Sequence, residues 1–220
     1  TLTSTSKTSK SWYGILVNGE RANSDDIQIA HAVVEYAYYG LYLSVGAKAG
    51  INNSDYRYNQ YAFYYQGMNT GGSINTSSIH ENSYGVYISA ASNNFAANPI
   101  LTVNGNSFYG NSFYNIALNG FNEGYKQILD ATGNWWGTDE PSLIATSIYD
   151  NVETSSAPTV DYSGFLNSEN GEAVTGNFLI MPITSNTTWN YTDAVLSQPI
   201  KVLSGAILTI AAGTTINAAK

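Results

Sequence analysis

The sequence predicts an all-β solenoid, and two observations carry that prediction. The first is a repeat. Tyr13-Gly14-Ile15-Leu16-Val17, Tyr39-Gly40-Leu41-Tyr42-Leu43, Tyr61-Ala62-Phe63-Tyr64-Tyr65 and Tyr84-Gly85-Val86-Tyr87-Ile88 superimpose, with a looser fifth copy at Tyr114-Asn115-Ile116-Ala117-Leu118. The residue after the tyrosine, at positions 14, 40, 62, 85 and 115, recurs at spacings of 26, 22, 23 and 30. One such copy cannot bury its own apolar face and stacked neighbours can, so a period in the twenties marks a solenoid. The second observation is the make-up of each copy. It is too short for a strand plus a helix, and its strands are rich in Ile, Val, Tyr and Phe with Gly, Asn and Ser between them. The Leu-x-x-Leu-x-Leu pattern of a leucine-rich repeat is absent.

Within a copy, a second strand lies about six residues upstream of the first, marked by Val34, Tyr56, Ile79 and Phe108. Three residues after those anchors come Ala37, Asn59, Asn82 and Asn111. Asparagine tolerates left-handed backbone and bonds through its amide, so stacked copies predict an asparagine ladder at this corner. Alternation turns Leu41, Phe63, Val86 and Ile116 inward together with Leu43, Tyr65, Ile88 and Leu118, and leaves Leu16, Tyr42, Tyr64, Tyr87 and Ala117 outward. Tyr42, Tyr64 and Tyr87 then form an exposed stripe, expected to contact another subunit or to stack on sugar rings. The plainer reading is cross-strand stabilisation of the sheet. Tyr13, Tyr39, Tyr61, Tyr84 and Tyr114 sit at the strand entry, where alternation gives no direction, and stacking on one another is their expected role.

The coil pattern over residues 1–137 stops after Trp136, and residues 138–172 predict a capping segment without a period. Ile148, Tyr149, Val160, Tyr162, Phe165 and Leu166 are expected to cover the open end of the stack. Residues 173–220 form a C-terminal β-rich extension, in which Ile200-Lys201-Val202-Leu203, Ile207-Leu208-Thr209-Ile210 and Thr214-Thr215-Ile216 alternate between Ser204-Gly205 and Ala212-Gly213 turns.

Trp12-Tyr13-Gly14-Ile15, then Ile27-Gln28-Ile29 leading to Val34-Glu35-Tyr36-Ala37 and Gly40-Leu41, resemble the opening coils of the right-handed parallel β-helix family of secreted and surface proteins. Gly133-Asn134-Trp135-Trp136-Gly137, followed by Ile148-Tyr149-Asp150 and Val160-Asp161-Tyr162, resembles the segment that closes such a helix. Residues 205–215 resemble the first turn of another. The resemblance specifies the fold and leaves function open, because this architecture hosts lyases, hydrolases, adhesins and scaffolds. Thr1 to Ser11 resembles the tail of a coil whose beginning is missing. Two unfinished ends predict either a piece of a longer array or a subunit whose ends complete one another, and the second case builds an open filament. Ile207, Leu208, Ile210 and Ile216 at one end, and Trp12 and Ile15 at the other, are the residues expected to make that contact.

The two enzyme chemistries that the resemblance offers find few residues. A β-elimination lyase needs a base beside a calcium-holding carboxylate cluster. Arg57 is the only basic residue inside a coil core, and no strand-borne Asp cluster is expected near it. A hydrolase of the polygalacturonase type needs carboxylates on neighbouring coils. Asp25-Asp26 and Asp139-Glu140 fall in loops, and the repeats carry Asn instead. His31 and His80 do not occupy matching positions. His80-Glu81 offers an acid/base pair, against the plainer reading of a solvated turn histidine. Glu20, Asp25 and Asp26 lack calcium-loop spacing and predict a solvated acidic loop. Trp135-Trp136 predicts end-cap packing.

Only 11% of the 220 residues are charged, against about a quarter in ordinary soluble proteins, while 43% are hydrophobic. A net charge of -8, with eight basic residues scattered singly, excludes the clustered basic footprint of nucleic-acid binding. Without cysteine there is no disulfide and no thiolate chemistry. No apolar run reaches the length of a membrane span, so no membrane insertion is expected, and the Thr/Ser/Lys-rich start is no signal peptide. Asn52, Asn75, Asn186 and Asn190 stand in glycosylation sequons. The sequence therefore predicts a non-enzymatic, cofactor-free extracellular or cell-surface subunit that assembles end to end with copies of itself. The alternative is a carbohydrate-binding or adhesive module of a larger surface protein, and a polysaccharide lyase or hydrolase stands third.

Overall fold

The computed structural model describes residues 1–19, 27–67, 69–90, 100–121 and 127–218. The acidic loop expected at Glu20, Asp25 and Asp26 lies outside the described residues. After β1 (Trp12–Asn18), strands recur in threes: β2 (Ile27–Ala30), β3 (Val33–Glu35) and β4 (Ala37–Ser44); β5 (Lys48–Asn52), β6 (Asp55–Arg57) and β7 (Tyr61–Gln66); β8 (Gly71–Asn75), β9 (Ser78–His80) and β10 (Tyr84–Ser89); β11 (Ile100–Asn104), β12 (Ser107–Tyr109) and β13 (Tyr114–Asn119). Then follow β14 (Ile128–Asp130), the short helix α1 (Pro141–Thr146), β15 (Ile148–Tyr149) and β16 (Thr159–Asp161). Every pairing between these strands is parallel and joins a strand to its counterpart one repeat away. β1, β4, β7, β10, β13 and β15 make one six-stranded sheet, β2, β5, β8, β11, β14 and β16 a second, and β3, β6, β9 and β12 a four-stranded third. Parallel neighbours in one chain need a return path. Here the other two sheets supply it.

The registers follow the sequence superposition. Leu41, Phe63, Val86 and Ile116 stand in one column, and Leu43, Tyr65, Ile88 and Leu118 in another. Val34, Tyr56, Ile79 and Phe108 align in the third sheet, and all twelve side chains are fully buried. The first copy departs by one residue, because Gly14 rather than Tyr13 faces Tyr39 and a register shift between Gly14 and Ile15 restores Ile15 opposite Leu41. Gly14 has φ 115°, and a Cβ there would lie 1.5 Å from the Tyr39 carbonyl oxygen, so only glycine fits.

The predicted asparagine corner is present. Asn59 Oδ1 accepts from Ala37 N at 2.9 Å, Asn82 Oδ1 from Asn59 N at 2.9 Å, and Asn111 Oδ1 from Asn82 N at 3.0 Å. A second ladder, which the sequence did not announce, turns the corner between the second and third sheets. Ser54 Oγ accepts from Ala32 N at 3.2 Å, Ser77 Oγ from Ser54 N at 3.1 Å, Asn106 Oδ1 from Ser77 N at 3.0 Å, and Asn134 Oδ1 from Asn106 N at 2.7 Å.

Residues 138–172, expected to cap, continue two of the sheets. β15 extends the first sheet through Ile116 opposite Ile148, and β16 extends the second through Leu129 opposite Val160. Ile148, Val160, Tyr162 and Phe165 are buried in the main core, while Leu166 is half-buried. Trp136, expected at the end cap, is also in that core, stacked on Phe108 at 5.1 Å. The six-residue helix lengthens the step between copies and hides the period.

The extension repeats the parallel pattern. β17 (Phe178–Leu179), β19 (Ala194–Leu196) and β21 (Ile216–Ala218) form one sheet, while β18 (Thr187–Trp189) pairs with β20 (Leu208–Ile210). Leu179, Ile183, Trp189 and Ala194 make its own apolar cluster. Tyr162 Oη to Ser197 Oγ at 2.8 Å and Lys201 Nζ to the Asn151 carbonyl tie it to the rest of the chain, and its Phe178 and Ile180 pack with the main core. Among the described residues, no helix is long and apolar enough to cross a membrane.

Candidate contact face

Among the described residues, the outer side of the first sheet carries the largest aromatic array. In β7 and β10 the second and third residues are both buried. β4 shows the same step at Gly40 and Leu41, where a Cβ on Gly40 would meet the Ala62 carbonyl oxygen at 2.5 Å. This break in the two-residue period turns Tyr39 and Tyr42 out together, and likewise Tyr61 with Tyr64 and Tyr84 with Tyr87. The strand-entry column therefore faces outward beside the predicted stripe, and the two form one surface.

The rings pack on one another. Tyr39 and Tyr61 stack at 5.5 Å, Tyr61 and Tyr84 at 5.0 Å, and Tyr64 and Tyr87 at 5.2 Å with 7° between planes. Edge-on contacts join the columns, as between Tyr61 and Tyr64 at 5.1 Å and between Tyr84 and Tyr87 at 5.3 Å. Tyr64 alone touches Tyr39, Tyr42, Tyr61 and Tyr87. Consequently the middle of the stripe offers solvent mostly ring edges and hydroxyls, whereas sugar stacking needs open ring faces. The hydroxyls are anchored along the polar column that follows. Tyr42 Oη donates to Gln66 Oε1, and Asn119 Nδ2 donates to Tyr87 Oη at 2.7 Å. Partial burial pushes the Tyr39, Tyr42, Tyr64 and Tyr84 phenols up, and Tyr61 up to about 12, with neighbouring phenols adding to the effect on Tyr39, Tyr61, Tyr64 and Tyr84. These five phenols are uncharged at ordinary pH, and Lys10 stands at one edge of the face, 5.9 Å from the centre of the Tyr38 ring.

The third sheet carries a chain of ion pairs that corrects the expectation for Arg57. Arg57 Nε bonds Glu35 Oε2 at 2.9 Å and its Nη1 bonds Asp55 Oδ2 at 2.7 Å, so two strand-borne carboxylates do accompany it. Lys7 Nζ and Thr3 Oγ1 complete the shell of buried Glu35 at 2.9 and 2.7 Å. Those donors, Lys7 first, hold its carboxyl down at about 2. His80 is no solvated turn residue. It lies on β9, is 9% exposed, stacks on Tyr109 at 4.5 Å, and sits 3.1 Å from Asp55 Oδ1 and 3.4 Å from Glu81 Oε2. Both Glu35 oxygens are taken by donors, and each Asp55 oxygen is engaged. Among the described residues, no group of three or more His, Asp or Glu could hold a metal ion.

The expected assembly residues divide. Ile207 and Ile210 are exposed at 62% and 56%, whereas Leu208 and Ile216 are half-buried against the small cluster. Trp12 and Ile15 pack against the main core, with Trp12 Nε1 donating to the Glu35 carbonyl at 2.9 Å. On β1 the exposed apolar side chains are instead Tyr13 and Leu16. Of the sequons, Asn186 and Asn190 are exposed, and Asn52 and Asn75 are half-buried on adjacent strands.

The fold and surfaces define an all-β protein of parallel sheets with a neutral aromatic face. No protein-family model matches the chain, and no curated protein or solved structure matches it.

Proposed function

We propose that the three sheets close into a right-handed parallel β-helix and that the chain is a structural, non-enzymatic subunit of an extracellular surface, built to contact copies of itself. One observation carries this reading: edge strands of two different parallel sheets bear exposed apolar side chains, Tyr13 and Leu16 on β1 of the first sheet, and Ile207 just before β20 and Ile210 on it in the two-stranded sheet. Edge strands with uncovered apolar residues are templates for strand addition, and natural proteins blunt them unless they are used. A contact between two different edges is open and propagates. The tyrosine face supplies a lateral surface for contact, against the general repulsion that a net charge of -8 sets up between copies. Electron microscopy beside light scattering over a range of concentrations tests the proposal. Fibres with an axial repeat near one subunit's length support it, and a monomer at every concentration overturns it.

A further inference from the structure

The outward column of the first sheet runs Leu16, Tyr42, Tyr64, Tyr87, Ala117, Tyr149. Alanine interrupts an otherwise continuous run of tyrosines. Rings in successive strands stand 5.3 Å apart for Tyr42 and Tyr64 and 5.2 Å for Tyr64 and Tyr87. Tyr87 and Tyr149 are separated by two strand spacings, about 10 Å, with only a methyl group between. A recess of about 170 Å³ opens here, lined by Tyr84, Tyr87, Tyr114, Ala117, Asn119 and Tyr149. An apolar cavity of about 150 Å³ takes one benzene ring, so the recess has the size of a single six-membered ring. Ala117 is itself only 2% exposed, so a guest would meet the surrounding rings rather than the strand.

We infer that this recess binds one ring of a neutral pyranose sugar, seated in the column where the tyrosine is missing. The chemistry of the walls selects that guest. Aromatic faces are electron-rich and receive the C–H faces of a pyranose on both sides. Around the rim stand the phenols of Tyr84, Tyr87 and Tyr114 and the Asn119 amide, which already reaches Tyr87 Oη at 2.7 Å, and these can exchange hydrogen bonds with ring hydroxyls. Among the described residues no charged side chain lines the recess, so a neutral sugar is favoured over a uronate. Elsewhere in the column neighbouring tyrosines cover one another, and here the ladder leaves one place open. This inference is independent of end-to-end assembly, and either can fail alone.

The test is titration calorimetry of the full chain with neutral oligosaccharides of glucose, galactose and mannose, beside oligogalacturonate and p-cresol. A neutral oligosaccharide is expected to bind. Ala117→Tyr, which puts the missing ring back, should weaken it by about tenfold or more. Asn119→Ala should weaken it too, and Tyr42→Ala, at the far end of the column, should leave it unchanged. Circular dichroism checks each variant, and if Ala117→Tyr does not fold, Tyr149→Ala removes one wall instead. Binding of p-cresol without any neutral sugar, no binding at all, or sugar binding unaffected by the wall and rim variants overturns the inference.

Discussion

Asn82 shows how much one side chain does at the corner. Its Oδ1 accepts from Asn59 N and Asn59 Nδ2, and its Nδ2 donates to the carbonyls of Tyr56 and His80 and to Asn111 Oδ1. It is 2% exposed, so alanine strands buried groups on two repeats at once. Asn82→Ala is expected to cost about 1–3 kcal/mol in urea unfolding, and a change within error would show that the corner holds without its amide. Glu35 carries a pH signature. Its folded pKa of about 2 lies below the ordinary 4.5, so its contribution to stability is present above pH 4.5 and is lost as pH falls through about 2. Unfolding free energies across that window should fall in the native protein more than in Glu35→Gln, and identical acid limbs would remove the role assigned to the Lys7 and Arg57 contacts. Tyr65 lies at the opposite extreme: it is fully buried and its hydroxyl finds no partner among the described protein atoms. Tyr65→Phe is expected to leave stability unchanged or raise it.

At the scale of elements, the first sheet separates a core face from a contact face within one strand. Phe63→Ala, deep in the main cluster, should cost about 3–5 kcal/mol by leaving a cavity. Tyr64→Ala, its outward neighbour, loses ring contacts at partial exposure and should cost about 1–2 kcal/mol, so the ordering of the two midpoints is the check. The first and third sheets were legible in the sequence because their buried columns carry large residues such as Phe63, Tyr65, Tyr56 and Phe108. The second sheet was not. Lys48-Ala49-Gly50-Ile51 and Gly71-Gly72-Ser73-Ile74 each show one strong strand former, and the short side chains between them look like turns until parallel neighbours pair with them. Its ladder went unseen because its residue type changes along the stack, from Ser54 and Ser77 to Asn106 and Asn134.

Across the whole molecule, the extension buries a second apolar cluster of its own, while its Phe178 and Ile180 pack with the main core. The exposed Ile207 and Ile210 edge is the part whose change should affect assembly alone. Ile207→Lys with Ile210→Lys is expected to abolish fibres while circular dichroism and the urea midpoint of the main transition stay put. Fibres that persist would move the contact to the tyrosine face, where Tyr38→Ala and Tyr61→Ala become the decisive variants.

The sequence by itself determined the all-β class, the parallel register of the tyrosine copies, the asparagine corner and the outward stripe, because each rests on a residue type recurring at a fixed step, and stacking turns such recurrence into a column. Only the tertiary structure decided the rest. Two consecutive buried residues turned a second tyrosine column outward, since close approach of neighbouring strands outweighed strict alternation. Packing between repeats also brought Glu35, Arg57, Asp55 and His80 into one chain of contacts. Glu35, Arg57 and His80 each follow an anchor of the third sheet, Val34, Tyr56 and Ile79, but no residue type recurs there, and their proximity arises from strands pairing across 22 or more residues.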